Sequence, residues 1–291
     1  MITLKNFTEN GVPLKAQFDP LHGMNLTSFL WGSLEVLDSS TSSLFKQRCA
    51  GLGALIGPHF HHRPLQSLPK VVLTPSLFPH LTQEQIEGTS EPFSHGIARY
   101  VPWHYETSST QIHATLNGDS LHKGVPLKSL EGQNFSMVFD IRLVHDGLLL
   151  DLNLQSEAPS VIGFHYYFAC TPQSFVTAHV HPSYREDTSW KPLPSTWTPN
   201  APSHLYFCLN QEADFGFQPL ADPSQPYYTL LLHHPSHLVH IEYTASDAET
   251  TSWQLYHPSK ASFACLEPLS ALDPRTPVAK HSHLQMKIKI T

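Results

Sequence analysis

Phe135-Ser136-Met137-Val138-Phe139-Asp140-Ile141-Arg142-Leu143-Val144-His145-Asp146-Gly147-Leu148-Leu149-Leu150-Asp151-Leu152-Asn153-Leu154-Gln155 reads as two strands and a turn. Phe135, Met137, Phe139, Ile141 and Leu143 recur at every second position, and Leu148, Leu150, Leu152 and Leu154 do the same after the turn. Alternate side chains of a strand point to opposite faces, so this pattern buries one face and wets the other. Asp146-Gly147 is a hairpin signal, because glycine adopts the backbone angles that short connections need. A hairpin with one apolar face predicts an antiparallel sheet packed on a second layer.

Working outward, Pro159 leads into Val161-Ile162-Gly163-Phe164-His165-Tyr166-Tyr167-Phe168-Ala169-Cys170, rich in the β-branched and aromatic residues that favour strands. Phe164, Tyr166 and Phe168 would share one face, His165 and Tyr167 the other. The C-terminal stretch alternates as cleanly, with Leu284, Met286, Ile288 and Ile290 inward and Gln285, Lys287 and Lys289 outward. Residues 12–18, 227–232, 238–244 and 262–266 read as further strands, and 24–37 as two strands about Trp31-Gly32. Asp38 to Ser43 reads as a loop, Thr82 to Glu87 as a single helical turn, and the proline-rich residues 181–202 as a long ordered loop. The 25 prolines argue against long helices. The expectation is one all-β domain over residues 1–291, a large antiparallel β-sandwich.

The net charge of −7 disfavours a nucleic-acid role resting on a basic surface. Charged residues are only 14% of the chain, so much of the polar surface must be Ser, Thr, Asn, Gln and His. No run of about 18 apolar residues marks a membrane span. The N-terminal residues lack the charged-then-apolar layout of a signal peptide. Cys49, Cys170, Cys208 and Cys265 are far apart with no CxxC, which reads as reduced thiols in a cytoplasmic protein.

Four segments carry groups capable of chemistry. A histidine held mid-strand among aromatic rings, as His165 is, is rigid enough to meet one atom of a ligand; a buried, hydrogen-bonded structural histidine is the commoner arrangement. In Phe93-Ser94-His95-Gly96, the glycine lets the chain turn beside an imidazole, or the segment is a surface turn. In Cys265-Leu266-Glu267-Pro268 a carboxylate ends an apolar strand, where apolar walls would raise its pKa and suit it to act as a base. A strand-end Glu facing water is the plainer reading. Arg63, in His59-Phe60-His61-His62-Arg63, offers a fork for a hydroxyl or an anion, or is a loop arginine. His59, His61 and His62, or His233, His234 and His237, would be the ligands of a metal, but their spacing is nonspecific among 21 histidines. No metal site is predicted.

Taken together these segments resemble the aldose 1-epimerase (galactose mutarotase-like) superfamily. Gly23-Met24-Asn25-Leu26-Thr27-Ser28-Phe29, with Trp31-Gly32 and Glu35-Val36-Leu37, resembles its opening hairpins. Gly53 to Arg63 resembles its glycine-to-arginine segment, ending His62-Arg63 where the family usually has Asn-Arg. His95-Gly96-Ile97-Ala98-Arg99 resembles its His-Gly-Phe-Ala-Arg, His165-Tyr166-Tyr167-Phe168 its His-x-Tyr-Phe, and Cys265-Leu266-Glu267-Pro268 its Cys-Ile-Glu-Pro. The five blocks fall in order and cover almost the whole chain. The resemblance implies a large β-sandwich with a sugar cleft, Glu267 as catalytic base and His165 as catalytic acid. It implies His95 and Arg63 as substrate-binding residues. Asp214, in Ala213-Asp214-Phe215-Gly216-Phe217, best matches the family's substrate-binding aspartate, and the proline-rich loop before it is where substrate preference would be set.

Interconverting sugar anomers needs one group to take a proton and another to give one, which a carboxylate and an imidazole can do without a metal or organic cofactor. The expected substrate is a hexose or hexose 6-phosphate, with Lys70, Arg99 and Arg185 as candidate phosphate cations and Tyr166, Trp103 and Phe168 as candidate cleft walls. No nucleic-acid or membrane partner is expected, and a monomer or homodimer is. A non-catalytic carbohydrate-binding protein of the same fold is the second reading, and a cupin-like metal enzyme the third.

Overall fold

A computed structural model describes residues 1–69, 73, 74, 76–247 and 249–291. Among these, nearly all regular structure is antiparallel β, arranged as two sheets with a common core. One sheet runs, in spatial order, through Ile2–Phe7, Pro13–Asp19, Asn25–Trp31, Gly53–Ile56, Gly163–Ala169, Phe263–Leu269, Ser252–His257 and Ala213–Pro219. The other runs through His104–Thr107, Gln111–Asn117, Phe135–Val144, Gly147–Ser156, His281–Ile290, His237–Ala245 and Tyr228–His234. Phe175–Glu186 joins them. Its residues 175–178 pair with Tyr228–His234, and Val180 with Tyr184, Arg185 and Glu186 pairs with Ala213–Pro219 across a register shift. Extra residues in one strand bend it, and here the bend carries one strand from sheet to sheet.

The alternation read from the sequence sets the layers. Leu148, Leu150, Leu152 and Leu154 face inward, with Leu148 opposite Ile288, Leu150 opposite Met286 and Leu152 opposite Leu284. A one-residue slip would turn all four leucines to solvent, at a cost on the order of 10 kcal/mol at roughly 1.5–3 kcal/mol each. That rivals the whole stability of an ordinary domain, so the register is fixed. Phe164 from the first sheet meets Phe139 from the second, ring centroids 6.1 Å apart, in the middle of the sandwich. His145 and Asp146 form the two-residue hairpin connection, since Val144 pairs with Gly147. Gly147 is needed mainly for a close approach: a Cβ there would stand 2.2 Å from the Ile288 carbonyl oxygen.

Three expectations need correction. Residues 181–202 are not one long loop: the strand continues to Glu186 and turns back as Ser189–Pro192, pairing Ser183 with Pro192 and Glu186 with Ser189. Pro182 and Pro192 sit where the ladder tolerates a missing donor, near the bulge and at the sheet edge. Asp38 to Ser43 is not plain loop. The Asp38 carboxylate accepts the Ser40 N–H at 2.8 Å, capping a helical turn that continues into the helix Ser42–Arg48. Nor does Pro268 end its strand. Phe263–Leu269 runs through it, with Pro268 opposite Trp253 and Leu269 opposite Ser252. A proline removes one donor, and the ladder closes again beyond it through Ser270 N–H to the Ile162 carbonyl at 3.0 Å. The helical turn near Thr82 is Gln83–Ile86, with Thr82 and Gln85 forming a capping box.

Candidate active site

The polar residues of interest lie on the outer face of the first sheet. Phe164, Tyr166 and Phe168 are buried in the core, which puts His165 and Tyr167 on the opposite face. Gly163 stands opposite Leu269 and Tyr167 opposite Cys265, a register that sets His165 across from Glu267. The row extends sideways, from Ala54 to Arg185, across six strands. Ala54 is opposite His165, Gln254 opposite Glu267, Gly216 opposite Gln254 and Arg185 opposite Gly216. A second row, Tyr167, Cys265, Tyr256 and Asp214, runs beside it. Residues 214 and 54 in different hairpins thus come to one surface through register alone.

Loops cover this face. Gly57 donates its N–H to the His95 carbonyl at 2.9 Å, and Ala98 donates to the Gly57 carbonyl at 3.1 Å, so the segment bearing His95 is laid on the segment after Gly53–Ile56. Only glycine fits at 96. Its φ is +84°, and a Cβ there would stand 2.0 Å from the Gly57 carbonyl oxygen. The cover leaves His165 6% and Glu267 2% exposed.

The pair sits with His165 Nε2 at 3.4 Å from Glu267 Oε1. The imidazole is stacked on Tyr167, centroids 4.8 Å apart, and meets His95 edge-on at 5.1 Å. Burial, then the field of Asp214, pushes the Glu267 carboxyl well above the usual carboxylate range, against the pull of Arg99. Burial, then Arg99, drives His165 well below the usual imidazole range. His95 is driven down by burial and then by Arg99 and His165. Its Nδ1 accepts the His61 backbone N–H at 3.3 Å, which leaves the ring proton on Nε2 as a donor. The uncharged pair and the ion pair of Glu267 and His165 differ only in where one proton sits.

Asp214 is exposed, and its Oδ1 accepts the Gln254 amide at 2.6 Å. Gln254 in turn accepts Arg185 Nη2 at 3.0 Å. The Arg185 guanidinium lies across Gly216, where a Cβ would stand 2.6 Å from Nη2. The glycine makes room for the arginine within the row. Arg63 is placed differently. Its Nε and Nη2 donate to Glu91 at 2.8 and 3.1 Å, and its Nη1 donates to the Glu131 backbone carbonyl. Glu91 also accepts the Phe93 N–H, and Glu131 accepts the Ile97 N–H and pairs with His59 at 2.6 Å. This buried cluster brackets the His95 segment on both sides.

Of the expected cleft walls, Tyr166, Phe168 and Trp103 all belong to the core. Tyr167 holds the place beside His165 instead, and half-buried Tyr256 lies in the neighbouring row. Lys70 lies outside the described residues. Arg99 is buried and donates to the Leu55 carbonyl at 3.2 Å. The sequence reading missed Gln254, Glu91, Glu131 and Tyr256. A signal existed for one of them: Gln254 is the polar residue at the centre of the otherwise apolar run Trp253 to Leu255. Among the described residues, His165, Cys265 and Glu267 form the group of metal-capable side chains whose ligand atoms lie within 4.8 Å of one another. In the histidine segments noted in the sequence, His59 is engaged with Glu131 and His233 with the Thr177 hydroxyl at 3.0 Å, while His61 and His62 are exposed.

No protein-family model matches the chain, and no curated protein matches it in sequence. Solved structures do match in shape. A galactose mutarotase-like protein from Lactobacillus casei superimposes with a TM-score of 0.69 at 14% identity, over 100% of both chains. The chain has the galactose mutarotase-like fold. Another protein described as galactose mutarotase-like, from Clostridium acetobutylicum, gives 0.68 at 10% identity over 100% of this chain and 98% of that one. A GalM/aldose epimerase homologue from Caenorhabditis elegans gives 0.66 at 11%, also over 100% and 98%. At such identities the likeness speaks for the mutarotase-like sandwich, not for any one side chain in it.

Proposed function

We propose that this protein interconverts the α and β anomers of a hexose or hexose 6-phosphate by acid–base ring opening and closure. The observation that carries the reading is the placement of Glu267 and His165 opposite one another on adjacent strands, side by side on a covered outer face. The reaction starts from the ion-pair form. Glu267 takes the proton of the C1 hydroxyl while His165 gives one to the ring oxygen, and the C1–O5 bond breaks. The open aldehyde turns about C1–C2. Glu267 then returns its proton to the carbonyl oxygen as the C5 hydroxyl attacks the other face of C1, and His165 takes the proton that hydroxyl loses. Each group ends as it began, and the reaction needs no cofactor.

His95, with Nε2 as donor, and Asp214, exposed beside the pair, are the sugar-binding groups in this reading. Arg63 was expected among them. With its donors occupied by Glu91 and Glu131, it acts here by holding the His95 segment in place. Arg185 Nε has no hydrogen-bond partner. Arg185 Nη1 and exposed Arg275 Nη1 both donate to the Asp187 carbonyl, and two cations so placed support a phosphorylated member of the substrate class. The test is α-to-β conversion followed by polarimetry or NMR over a panel of aldoses and their 6-phosphates. Acceleration over the spontaneous rate, lost in Glu267→Gln, is expected. Binding of a sugar without acceleration of any would replace the enzyme with a carbohydrate-binding protein.

A further inference from the structure

We propose that this covered outer face is also a site for a thiophilic divalent cation, zinc above all, held by His165, Cys265 and Glu267. Cys265 and Glu267 are two residues apart on one strand and share its outer face; His165 faces them from the next strand. All three are buried, and Cys265 is a free thiol. Their ligand atoms lie within 4.8 Å of one another.

The spacings suit a tetrahedral ion. His165 Nε2 to Glu267 Oε1 is 3.4 Å, longer than a charge-assisted hydrogen bond between such groups. It is close to the edge of about 3.3 Å that separates nitrogen and oxygen ligands on zinc at bonds of about 2.0–2.1 Å. A thiolate at about 2.3 Å from the same ion would stand about 3.6 Å from the imidazole nitrogen, so with the ligand atoms within 4.8 Å of one another Cys265 Sγ needs to approach by about 1.2 Å at most. Three protein ligands leave a fourth position for water. One imidazole, one thiolate and one carboxylate select zinc or cobalt over magnesium or calcium, which prefer oxygen ligands. Binding displaces the thiol proton, and the carboxyl proton where one is present, to solvent; no electron is transferred.

The site lacks the support of a resident metal centre. A metal-bound histidine normally donates its other ring N–H to an acceptor, whereas His165 Nδ1 is buried with no partner. Arg99 is close enough for its charge to act on both His165 and Glu267, and it opposes a cation. The affinity should therefore be modest, on the order of micromolar rather than that of a structural zinc site. Occupancy takes both groups of the acid–base pair, so the cation inhibits. The inhibition rests on the function proposed above; the binding does not.

Metal-free full-length protein would be titrated with Co²⁺, read by the thiolate-to-cobalt absorption in the near ultraviolet and the visible bands of tetrahedral cobalt. Zn²⁺ would displace the cobalt, with affinity measured by calorimetry. Wild type should bind one ion with the thiolate band. Cys265→Ser should lose that band and bind zinc more weakly by more than the ~10–100-fold that loss of a ligand's supporting partner costs. Cys265→Ala is the second variant should the serine disturb folding. Zn²⁺ but not Mg²⁺ should slow anomer conversion in wild type, with each variant's own zinc-free rate as its reference. His61 and His62 have rings 4.3 Å apart on the surface and are the competing zinc ligands. A His61→Ala/His62→Ala variant should keep the thiolate band. A cobalt spectrum without that band, zinc affinity in Cys265→Ser within threefold of wild type, or no zinc binding at all would overturn the proposal. A protein that converts no sugar yet shows the band would sink the epimerase reading and leave the cation site standing.

Discussion

On the outer face of Phe135–Val144 and Gly147–Ser156, Asp140 stands opposite Asp151; on the outer face of Gly163–Ala169 and Phe263–Leu269, His165 stands opposite Glu267. The same alternation put both pairs outside the core. Asp140 pairs with exposed His113 at 2.7 Å, and Asp151 accepts from His283 and Gln285, within an open groove of about 560 Å³. Water reaches these groups. Over His165 and Glu267 lie the segments 57–63 and 91–99, and the same kind of outward position becomes a buried one with displaced pKa values. Strand alternation decides which residues are polar, and the loop cover decides which of them can do acid–base work.

The largest effect should come from breaking the covered pair. Glu267→Gln keeps the shape of the side chain and cannot accept a proton. A general acid or base contributes typically about 10²–10⁴-fold, so kcat for anomer conversion should fall by that order. His165→Asn should fall comparably, and the double variant little further, since groups acting as one unit are not additive. Asp140→Asn on the open face should leave kcat within twofold of wild type. Equal losses at Asp140 and Glu267 would erase the distinction between the faces.

Next is the cluster that holds the cover. Arg63 and Glu91 have side chains 15% and 0% exposed, and Arg63→Ala would leave the Glu91 and Glu131 carboxylates buried without the guanidinium, with His59 alone beside them. Removing one partner of a buried ion pair typically costs about 3–5 kcal/mol, so urea unfolding should show a loss of that size. Because the His95 segment hangs on these carboxylates, kcat should fall together with stability. A rise in KM with stability unchanged would return Arg63 to direct contact with the sugar.

How far this was legible in the sequence differs between the two faces. Period-two alternation identified the inward residues of the hairpin at 135–155, of the strand at Leu284–Ile290 and of the strand carrying His165, because burial of one face leaves a repeating mark. It gave the sandwich and the side on which His165 lies. It did not give the row His165, Glu267, Gln254, Gly216, Arg185, since a row crosses five strands and no local pattern records which strands become neighbours. Glu91 and Glu131 look like any loop and helix carboxylates in the sequence; only the fold brings them to Arg63, a residue expected to reach the sugar. The strand through Tyr184 and Arg185 was missed because its prolines read as loop, although they lie at a bulge and an edge. For Asp214 the family motif matched loosely, and its place in the row with Tyr256 and Cys265 was visible only once the strand register was fixed.

A smaller effect separates the faces by pH. Burial alone would raise the Glu91 carboxyl, but the Arg63 hydrogen bond, the His59 and Arg63 charges and the Phe93 N–H outweigh it and hold it below the usual range. In the unfolded chain the same carboxyl titrates near its ordinary value of about 4.3. Between the two values the unfolded state binds the extra proton. The stability contributed is therefore fully present above about pH 4.3 and is lost as pH falls through the lower, folded value. One such group gives a slope of up to about 1.4 kcal/mol per pH unit. Glu91→Gln should flatten the acid limb of stability by about that slope, measured as urea midpoints from pH 6 to pH 3. An acid limb as steep in the variant as in wild type would place the sensitivity elsewhere.

The smallest effect belongs to the open face. Lys287 and Lys289 point outward from His281–Ile290, with Lys287 Nζ 2.5 Å from Asp146 and Lys289 Nζ 2.6 Å from Glu242. Asp146 is 56% exposed, so water and salt screen its pair with Lys287, and holding two flexible side chains together offsets part of the attraction. A double-mutant cycle of Lys287→Ala and Asp146→Asn should give a coupling between zero and about 1 kcal/mol, smaller still in high salt. Neither substitution should alter anomer conversion, because both residues lie on the sheet opposite the covered pair. A coupling above about 3 kcal/mol, the range of buried pairs, would mean that this face holds its charges as firmly as the other. The contrast between a solvated and a covered outer face would then fail, and the acid–base role proposed for His165 and Glu267 would need a ground other than their cover.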